Sequence, residues 1–470
     1  MRSIKPLHLL MAGTLLIMLG HIRHGMGIFA ILEPIPFLLY LDRKQSLRSM
    51  VYLALALMIG WTLAVAKIVT DPIPLILSPF FALPIALSKV GAYLSYRPFR
   101  DHKQAGWIFA ALFTLGEYVL TTFTPFATWG AMVYTQLENI SWLQIVSIGG
   151  PWMLSYALYF IAYQLYRLST GDTTHRTIAA LGIPILMLSL FGTIRIALTE
   201  NREQPSVSIA AIGTDSQIGG AIFPSTEERH SVRAALYRRM AKAQQSGSSL
   251  IVLTEAAAGI LPAEEAAFKQ EVSNLVDSLD ITAVVSYVVP LQFDPLLYEN
   301  KAIIINQEGQ IVQSYLKHEP VPGEPAIKGV ADHQVYDMGD YQLGKAICYD
   351  FDFPGLAHEI AALGADIVAV PSSDWRGIDP IHTQMAAVRA IEGGFSLIRS
   401  TRWGLSAAVD PYGRFRAWRS DFDTGEKIMV AQLPVGPVDT FYERWGDWFI
   451  YLCLGLIGYN ILSKLRSRSV

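Results

Sequence analysis

The chain has 470 residues, 52% of them hydrophobic and only 16% charged, with a formal net charge of −3. An ordinary soluble protein is about a quarter charged, so this composition excludes a wholly soluble chain. The near-neutral balance, without any Lys/Arg-rich patch, argues against nucleic acid as a partner. The two cysteines are Cys348 and Cys453, and the second lies inside the last hydrophobic stretch, so no disulfide between them is expected.

A membrane helix needs about 20 mostly apolar residues. In chain order the candidate spans are residues 4–20, 25–41, 50–69, 72–94, 105–123, 140–166 and 184–198, the seventh starting near Ile178, with an eighth at 448–463. The first runs straight into another span and carries no convincing small-residue cleavage site, so it reads as a retained helix rather than a signal peptide. Basic residues then orient the set. Arg2 and Lys5 precede span one; Arg43, Lys44 and Arg48 separate two and three; Arg97, Arg100 and Lys103 separate four and five. Arg167 and Arg176 separate six and seven, and Lys464, Arg466 and Arg468 follow eight. All fall on one side if both termini are cytoplasmic, whereas residues 124–139 on the other side hold no Lys or Arg; Arg23 is the weak exception. Eight crossings then place residues 199–446 outside the cytoplasm. Glu33 and Glu117 fall within spans, where a carboxylate costs about 2.5–3.5 kcal/mol on insertion scales. Each either lines a polar entry near the headgroups or sits at the interface or in a helix–helix hydrogen bond; the second is preferred for Glu33, just before Pro34.

From about residue 205 to 433 the pattern changes to short Val/Ile/Ala runs alternating with charged, helix-like stretches. Strands are predicted at 207–212, 250–254, 282–289, 302–306, 343–347, 367–370, 395–399 and 428–432. Helices are predicted at 226–245, 263–279, 354–363 and 381–393, with Gly364 and Gly394 as stops. This alternation predicts a sheet covered by helices. The expected organisation is a membrane domain at 1–200 with seven helices, an extracytoplasmic catalytic domain at 201–445, and a last helix with a basic cytoplasmic tail at 446–470.

Three segments carry chemistry: SLIVLTEAAAG, QSYLKHEPVPGEP and QLGKAICYDFDFPG. Each ends or edges a β-like run with one reactive residue, Glu255, Lys317 and Cys348 respectively. A cysteine needs a positioned base to become a thiolate nucleophile, and an ammonium steadies the charge on a tetrahedral intermediate. Glu255 is therefore the expected general base, Lys317 the stabilising cation and Cys348 the nucleophile. No Zn-type Cys/His spacing and no phosphate-cradling Gly loop occurs, so neither metal nor organic cofactor is expected.

Glu, Lys and Cys in that order and context resemble the nitrilase (carbon–nitrogen hydrolase) superfamily, and together with the flanking spans the chain resembles its membrane-bound branch, the apolipoprotein N-acyltransferases. The segment PFATWGAMVYTQLENISWLQIVSIGGPWMLSYAL and the Pro-bearing second span extend the likeness into the membrane part. The resemblance implies a domain of about eight membrane helices plus a nitrilase-like αββα sandwich. It implies transfer of an acyl chain from a phospholipid such as phosphatidylethanolamine, through a thioester on Cys348, to the amine of a diacylglyceryl-cysteine on a lipoprotein. It also implies a place in the bacterial cytoplasmic membrane. Soluble nitrilases often associate, but a domain pinned between two spans is expected to stay monomeric.

By match, Glu324 takes the place of the family's additional glutamate, although its loop is one residue shorter and lacks the aromatic. Tyr349 and Asp350 stand where Cys-Tyr-Glu is usual, and either packs the loop or serves the oxyanion and acyl pocket. In the run from Asp374, the residues Trp375, Gly377, His382, Arg389, Glu392, Arg399, Gly404 and Ser406 also match. Arg389 and Glu392 are expected to form a buttressing pair on a helix, and His382 to be a scaffold histidine rather than a proton shuttle. Arg376 replaces a Phe, Arg402 and Trp403 replace Thr-Asn, and the family's tryptophan after the first strand has no match in IGTDSQIGGAIFPSTEERH. These departures keep two rivals in view: a membrane-bound amidase or acyltransferase acting on another amine, and a non-catalytic lipid- or lipoprotein-binding protein.

Overall fold

The computed structural model of the chain describes residues 4–199, 205–218, 223–436 and 438–466. Arg2 and Arg468, counted in the charge pattern, lie outside these, as do residues 200–204 at the expected domain boundary and 219–222 in the stretch without the tryptophan. Two units of different character result: one formed by Met1–Asn201 with Arg444–Val470, the other by Arg202–Glu443.

The first unit is helical: α1 Pro6–Gly20, α2 Gly27–Leu32, α3 Pro34–Arg43, α4 Leu47–Val65, α5 Ser78–Tyr96, α6 Ala105–Phe123, α7 Ile140–Leu143, α8 Val146–Ser169 and α9 His175–Ala197, with a C-terminal helix Trp448–Arg466. Among the described residues, five helices are long and apolar enough to cross a membrane: Leu47–Val65, Leu75–Phe99, Ala105–Phe123, His175–Ala197 and Trp448–Arg466. The other three expected spans differ from simple rods. The first is a helix of 15 residues. The second divides at Glu33, because Pro34 and Pro36 have no N–H to return to the preceding turn. The sixth divides into α7 and α8, and α8 bends at Gly149 and Gly150, the latter at φ +63°, directly before Pro151. Phe449, Ile450 and Cys453 of the last helix pack on Ala111 of α6 and Trp152 of α8.

Glu33 and Glu117, the two acids that fall within the expected spans, are buried inside the helical unit. Glu117 Oε1 lies 2.7 Å from Lys89 Nζ, accepts the Tyr159 hydroxyl at 2.5 Å, and accepts the backbone N–H of Met132 at 3.0 Å. It therefore pins the segment after α6 inside the bundle, and the polar-entry expectation gives way to an interhelical ion pair. Glu33 lies 3.9 Å from His21 Nε2, where the helix breaks between α2 and α3.

The second unit builds two sheets. Its elements are β1 Ser206–Ile212, α10 Thr226–Gln245, β2 Leu250–Leu253, β3 Ala258–Gly259, α11 Glu265–Leu279, β4 Thr282–Phe293, β5 Leu296–Ile305, β6 Ile311–Leu316, β7 Tyr336–Asp337, β8 Gln342–Lys345, α12 Pro354–Ala362, β9 Ile367–Ser373, α13 Ile381–Gly393, β10 Ser396–Arg402, β11 Leu405–Val409, β12 Phe415–Ser420 and β13 Ile428–Pro434. One sheet has the order β13-β1-β2-β4-β5-β6 with β3 on β4, the other β12-β11-β10-β9-β8-β7. β1, β2 and β4 run parallel, as do β8, β9 and β10.

Period-two alternation sorts each strand between two cores. Ile209, Ala211, Val252, Val284 and Ile304 meet Leu343, Ile367, Ala369 and Ile398 between the sheets. Their neighbours Ala210, Ile212, Ile251 and Ala283 pack outward on Leu236 and Met240 of α10 and on Phe268 and Val272 of α11. Ala357 and Ile360 of α12, with Ala386 and Ala390 of α13, cover Val368, Val370 and Leu397 of the other sheet. The result is a four-layer α/β/β/α sandwich with parallel strand ends gathered at one edge of each sheet.

Gly394 ends α13 at φ +71°, and a Cβ there would lie 1.8 Å from the Val438 carbonyl oxygen. Gly394→Ala combines a left-handed backbone with a clash against rigid main chain, so it is expected to destabilise this unit by about 3 kcal/mol or more. Thermal unfolding of the purified protein checks this; an unchanged midpoint would contradict it.

Candidate active site

Parallel strands present their carboxyl ends together, and reactive groups collect there. β2 ends at Leu253 and is followed by Thr254 and Glu255; β6 ends at Leu316 and is followed by Lys317; Cys348 follows β8 and opens a short 3-10 turn, Cys348–Asp352. The chain turns abruptly at two of these points, with Ala256 and Cys348 both at φ +48°. A non-glycine residue in that region costs about 1–3 kcal/mol and persists only where its surroundings fix it.

The structure brings Glu255, Lys317 and Glu324 into direct contact. Lys317 Nζ donates to Glu255 Oε1 at 2.8 Å and to Glu324 Oε2 at 2.7 Å, and the lysine is only 1% exposed. Asn300 of β5 gives its amide to Glu255 Oε1 at 2.7 Å and to Glu324 Oε1 at 3.1 Å. Glu324 also accepts the Tyr298 hydroxyl at 3.1 Å and the Val321 N–H at 2.9 Å. Burial works against the Lys317 charge, but the two carboxylates outweigh it and hold the ammonium well above its ordinary range. Burial likewise opposes ionisation of Glu324, yet Lys317 and its hydrogen bonds bring it below the usual carboxylate value.

Cys348 is 1% exposed, and its thiol donates to the Ser373 carbonyl at 3.5 Å. Burial pushes this thiol well up, the Glu255 charge adds to the effect, and Lys317 and Arg399 oppose it. A thiolate here therefore needs a local proton acceptor. Asp350 ties the cysteine turn to the lysine segment: its carboxylate accepts the N–H groups of Ile347 (2.9 Å), His318 (3.1 Å) and Glu319 (2.7 Å) and the Tyr315 hydroxyl (2.8 Å). Burial raises Asp350 to about 7, with Lys317 and these hydrogen bonds limiting the rise. Tyr349 is buried with its ring 5.6 Å from Phe353, and Trp375 is half-buried. Arg389 and Glu392 pair at 2.8 Å one turn apart on α13, both buried.

A second ionic cluster borders Cys348. His382 Nδ1 lies 2.7 Å from Asp374 and its Nε2 2.8 Å from Asp352, while Arg399 holds both Asp374 oxygens at 3.0 and 3.1 Å. Burial opposes charge on His382, but Asp352 and Asp374 outweigh it and raise it to about 9. The two carboxylates thus favour an imidazolium, against burial and the Arg399 guanidinium 2.8 Å from Nδ1. Ligand atoms of Cys348, Asp374 and His382 lie within 4.8 Å of one another. The set suits a metal cation poorly, since both ring nitrogens face carboxylates and the Arg399 guanidinium already occupies Asp374.

Arg402, one of the departures, is buried and clamps the loop after β1: it donates to Ser373 Oγ at 2.8 Å, to the Ser216 carbonyl at 3.3 Å and to the Ile218 carbonyl. Arg376 is exposed and stacks over Phe422 at 4.3 Å. Sequence reasoning passed over Tyr298, Asn300, Tyr315 and Asp352. The signal open to it was the spacing of Tyr298 and Asn300, two apart on β5, which puts both on one face of the sheet.

Residues 208–441 match the family described as Carbon-nitrogen hydrolase, and residues 13–163 match the Apolipoprotein N-acyltransferase N-terminal domain. A protein of Azotobacter vinelandii named apolipoprotein N-acyltransferase is 26% identical over 444 residues, covering 87% of this chain and 82% of that protein. One of the same name from Geobacter metallireducens is 24% identical over 386 residues, covering 75% of this chain and 72% of that protein. Among solved structures, an amidase from Nesterenkonia sp. is 20% identical, covers 51% of this chain and 93% of its own, and has a TM-score of 0.40.

Because the folded value for His382 lies near 9, above the usual 6.5, its stabilising effect is complete below pH 6.5 and is lost as pH rises through 9. His382→Gln is therefore expected to cost about 3–5 kcal/mol at neutral pH, by leaving two buried carboxylates short of a counter-charge. The difference in unfolding midpoint from the wild type should narrow above pH 9. A pH-independent difference would contradict the imidazolium assignment.

Proposed function

Since the chain belongs to the apolipoprotein N-acyltransferase family, we propose that it moves an acyl chain from a phospholipid, through a thioester on Cys348, to the N-terminal amine of a diacylglyceryl-cysteine on a lipoprotein. The observation that carries this reading is a buried carboxylate in contact with a buried ammonium, with a buried thiol close enough to feel both charges.

Glu255 takes the Cys348 proton as sulfur attacks the ester carbonyl of the phospholipid. Lys317, held charged by Glu255 and Glu324, stabilises the oxyanion of the tetrahedral intermediate. As the C–O bond breaks, Glu255 returns the proton to the departing lysophospholipid alcohol, leaving the acyl group on sulfur. The lipoprotein amine then attacks the thioester; an N–C bond forms, the S–C bond breaks, and Glu255 accepts the amine proton and returns it to Cys348. Splitting the transfer this way replaces one difficult step by two easier ones. Glu324 and Asp350 act as positioning residues, the first through the ammonium and the second by joining the Lys317 and Cys348 segments.

The domain reading follows the same line. Residues 1–200 form a membrane domain of seven spans, 201–445 an extracytoplasmic catalytic domain, and 446–470 an eighth span with a cytoplasmic tail, in the cytoplasmic membrane of a bacterium. The basic residues of the connections support this orientation. A membrane-embedded enzyme suits two lipid substrates, because drawing an acyl chain into water costs about 0.8 kcal/mol per CH₂. Phosphatidylethanolamine is the proposed donor, and the enzyme is proposed to act as a monomer.

Intact-mass spectrometry of the protein incubated with phospholipid and no acceptor tests the reading. The wild type should gain one fatty-acyl mass that hydroxylamine removes, and Cys348→Ala should gain none. Failure of folded wild-type protein to acquire an adduct from any phospholipid offered would contradict acyl transfer and favour an amidase.

A further inference from the structure

Helices α1 and α4 pack side by side, with small residues at their meeting line: the Thr14 hydroxyl donates to the Ala56 carbonyl at 3.1 Å. To one side rise Leu7, Met11 and Leu15, spaced four apart on one face of α1; to the other rise Leu55, Ile59 and Leu63 of α4. All six are strongly exposed. Between the two rows runs a groove of about 740 Å³. Its body is hydrocarbon and thioether, and the Thr14 hydroxyl on its floor is already bonded.

One end differs. Lys44 and Arg48 line it, together with the hydroxyl-bearing Ser46 and Tyr52. Both cations are exposed, neither is in an ion pair with a described residue, and the groove lining contains no acid. The nearby Asp42 is taken by the Tyr166 hydroxyl at 2.7 Å, and Arg43 turns instead to the Ile4 carbonyl. From Arg48 to Leu63 the groove follows 15 residues of helix, about 22 Å at 1.5 Å per residue. That length fits the acyl region and headgroup level of one leaflet, half of a hydrocarbon core of about 30 Å.

An apolar groove one leaflet long, charged at one end and with one sign only, is complementary to an amphiphile with an acyl chain and an anionic head. We propose that it is a binding site for a single anionic glycerophospholipid, with an acyl chain between α1 and α4 and the phosphate on Lys44 and Arg48. Under the proposed orientation this end lies on the cytoplasmic side, opposite to residues 199–446, so the lipid is a resident one and not the acyl donor. The inference rests on the orientation for that last point only; the groove and its charge do not depend on acyl transfer.

The test is native mass spectrometry of the full-length protein in detergent, offered phosphatidylglycerol and phosphatidylcholine of the same chain length in equal amounts. Each basic group near a membrane surface is worth about fivefold in affinity for anionic lipid, so two give a preference of about thirtyfold. One phosphatidylglycerol should be retained well above phosphatidylcholine, and the preference should vanish in the Lys44→Gln/Arg48→Gln variant. Ala56→Leu, which fills the floor, should lower retention of both lipids. Those two cations are exposed and unpaired, so the double variant is expected to fold even if Ala56→Leu perturbs helix packing. Equal retention of the two lipids by the wild type, or an unchanged preference in the double variant, would mean adventitious lipid only and overturn the proposal. Thioester formation on Cys348, measured on the same samples, reports separately on acyl transfer.

Discussion

One ammonium sealed between two carboxylates constrains the catalytic unit more than any other contact. Lys317 is almost wholly withdrawn from water, and an isolated buried ammonium is too costly to persist. It is tolerated because Glu255 and Glu324 both touch it, and Asn300 donates to both carboxylates and so fixes them around it. These partners come from the end of β2, the end of β6, the turn beyond it and the face of β5, so the sheet order β2-β4-β5-β6 is what assembles them. The backbone strain at Ala256 and Cys348 fits this picture: it is carried where the surrounding network over-determines the chain.

The charge balance also bears on the proposed proton transfer. Two carboxylates and two buried cations, Lys317 and Arg402, set the local charge total beside a thiol whose ionisation burial opposes. Passing the thiol proton to Glu255 creates a thiolate without changing that total, which a dry site tolerates far better than releasing the proton to solvent. The cluster of Asp352, Asp374, His382 and Arg399 holds two negative and two positive groups, so it borders the nucleophile without adding net charge. Through Asp374 it holds the Ser373–Asp374 segment, whose Ser373 carbonyl accepts from the thiol.

Much of this was legible in the amino-acid order because parallel strands end where the chain says they do. SLIVLT, QIVQSYL and QLGKAI are apolar runs, and the residue after each is what the strand delivers to the sheet edge. The spacing of Tyr298 and Asn300 put both on one face of β5, but their meeting with Lys317 depends on the register that sets Lys301 opposite Leu316, a cross-strand fact that spacing does not carry. β11 was missed because LSAAV is a short run of small residues, and β12 because its polarity inverts, with Trp418 exposed and Arg419 turned inward. In the membrane unit, hydropathy located the apolar stretches but not their breaks. Pro34 and the Gly149-Gly150-Pro151 run act through lost hydrogen bonds, which a hydropathy average does not register. The burial of Glu117 was hidden likewise, because its partners Lys89 and Tyr159 lie on other helices.

The most direct measurement is the single-turnover rate of thioester formation from phospholipid in wild type and Glu255→Gln near neutral pH. If Glu255 is the proton acceptor, the rate falls by about a hundredfold or more, the usual weight of a positioned base. If Glu255 acts only as a charge raising the thiol, its neutralisation eases ionisation of Cys348 and the rate holds or rises. A fall supports the account of Glu255, Lys317 and Cys348 as one proton-conserving unit; a rate that is maintained or increased contradicts it.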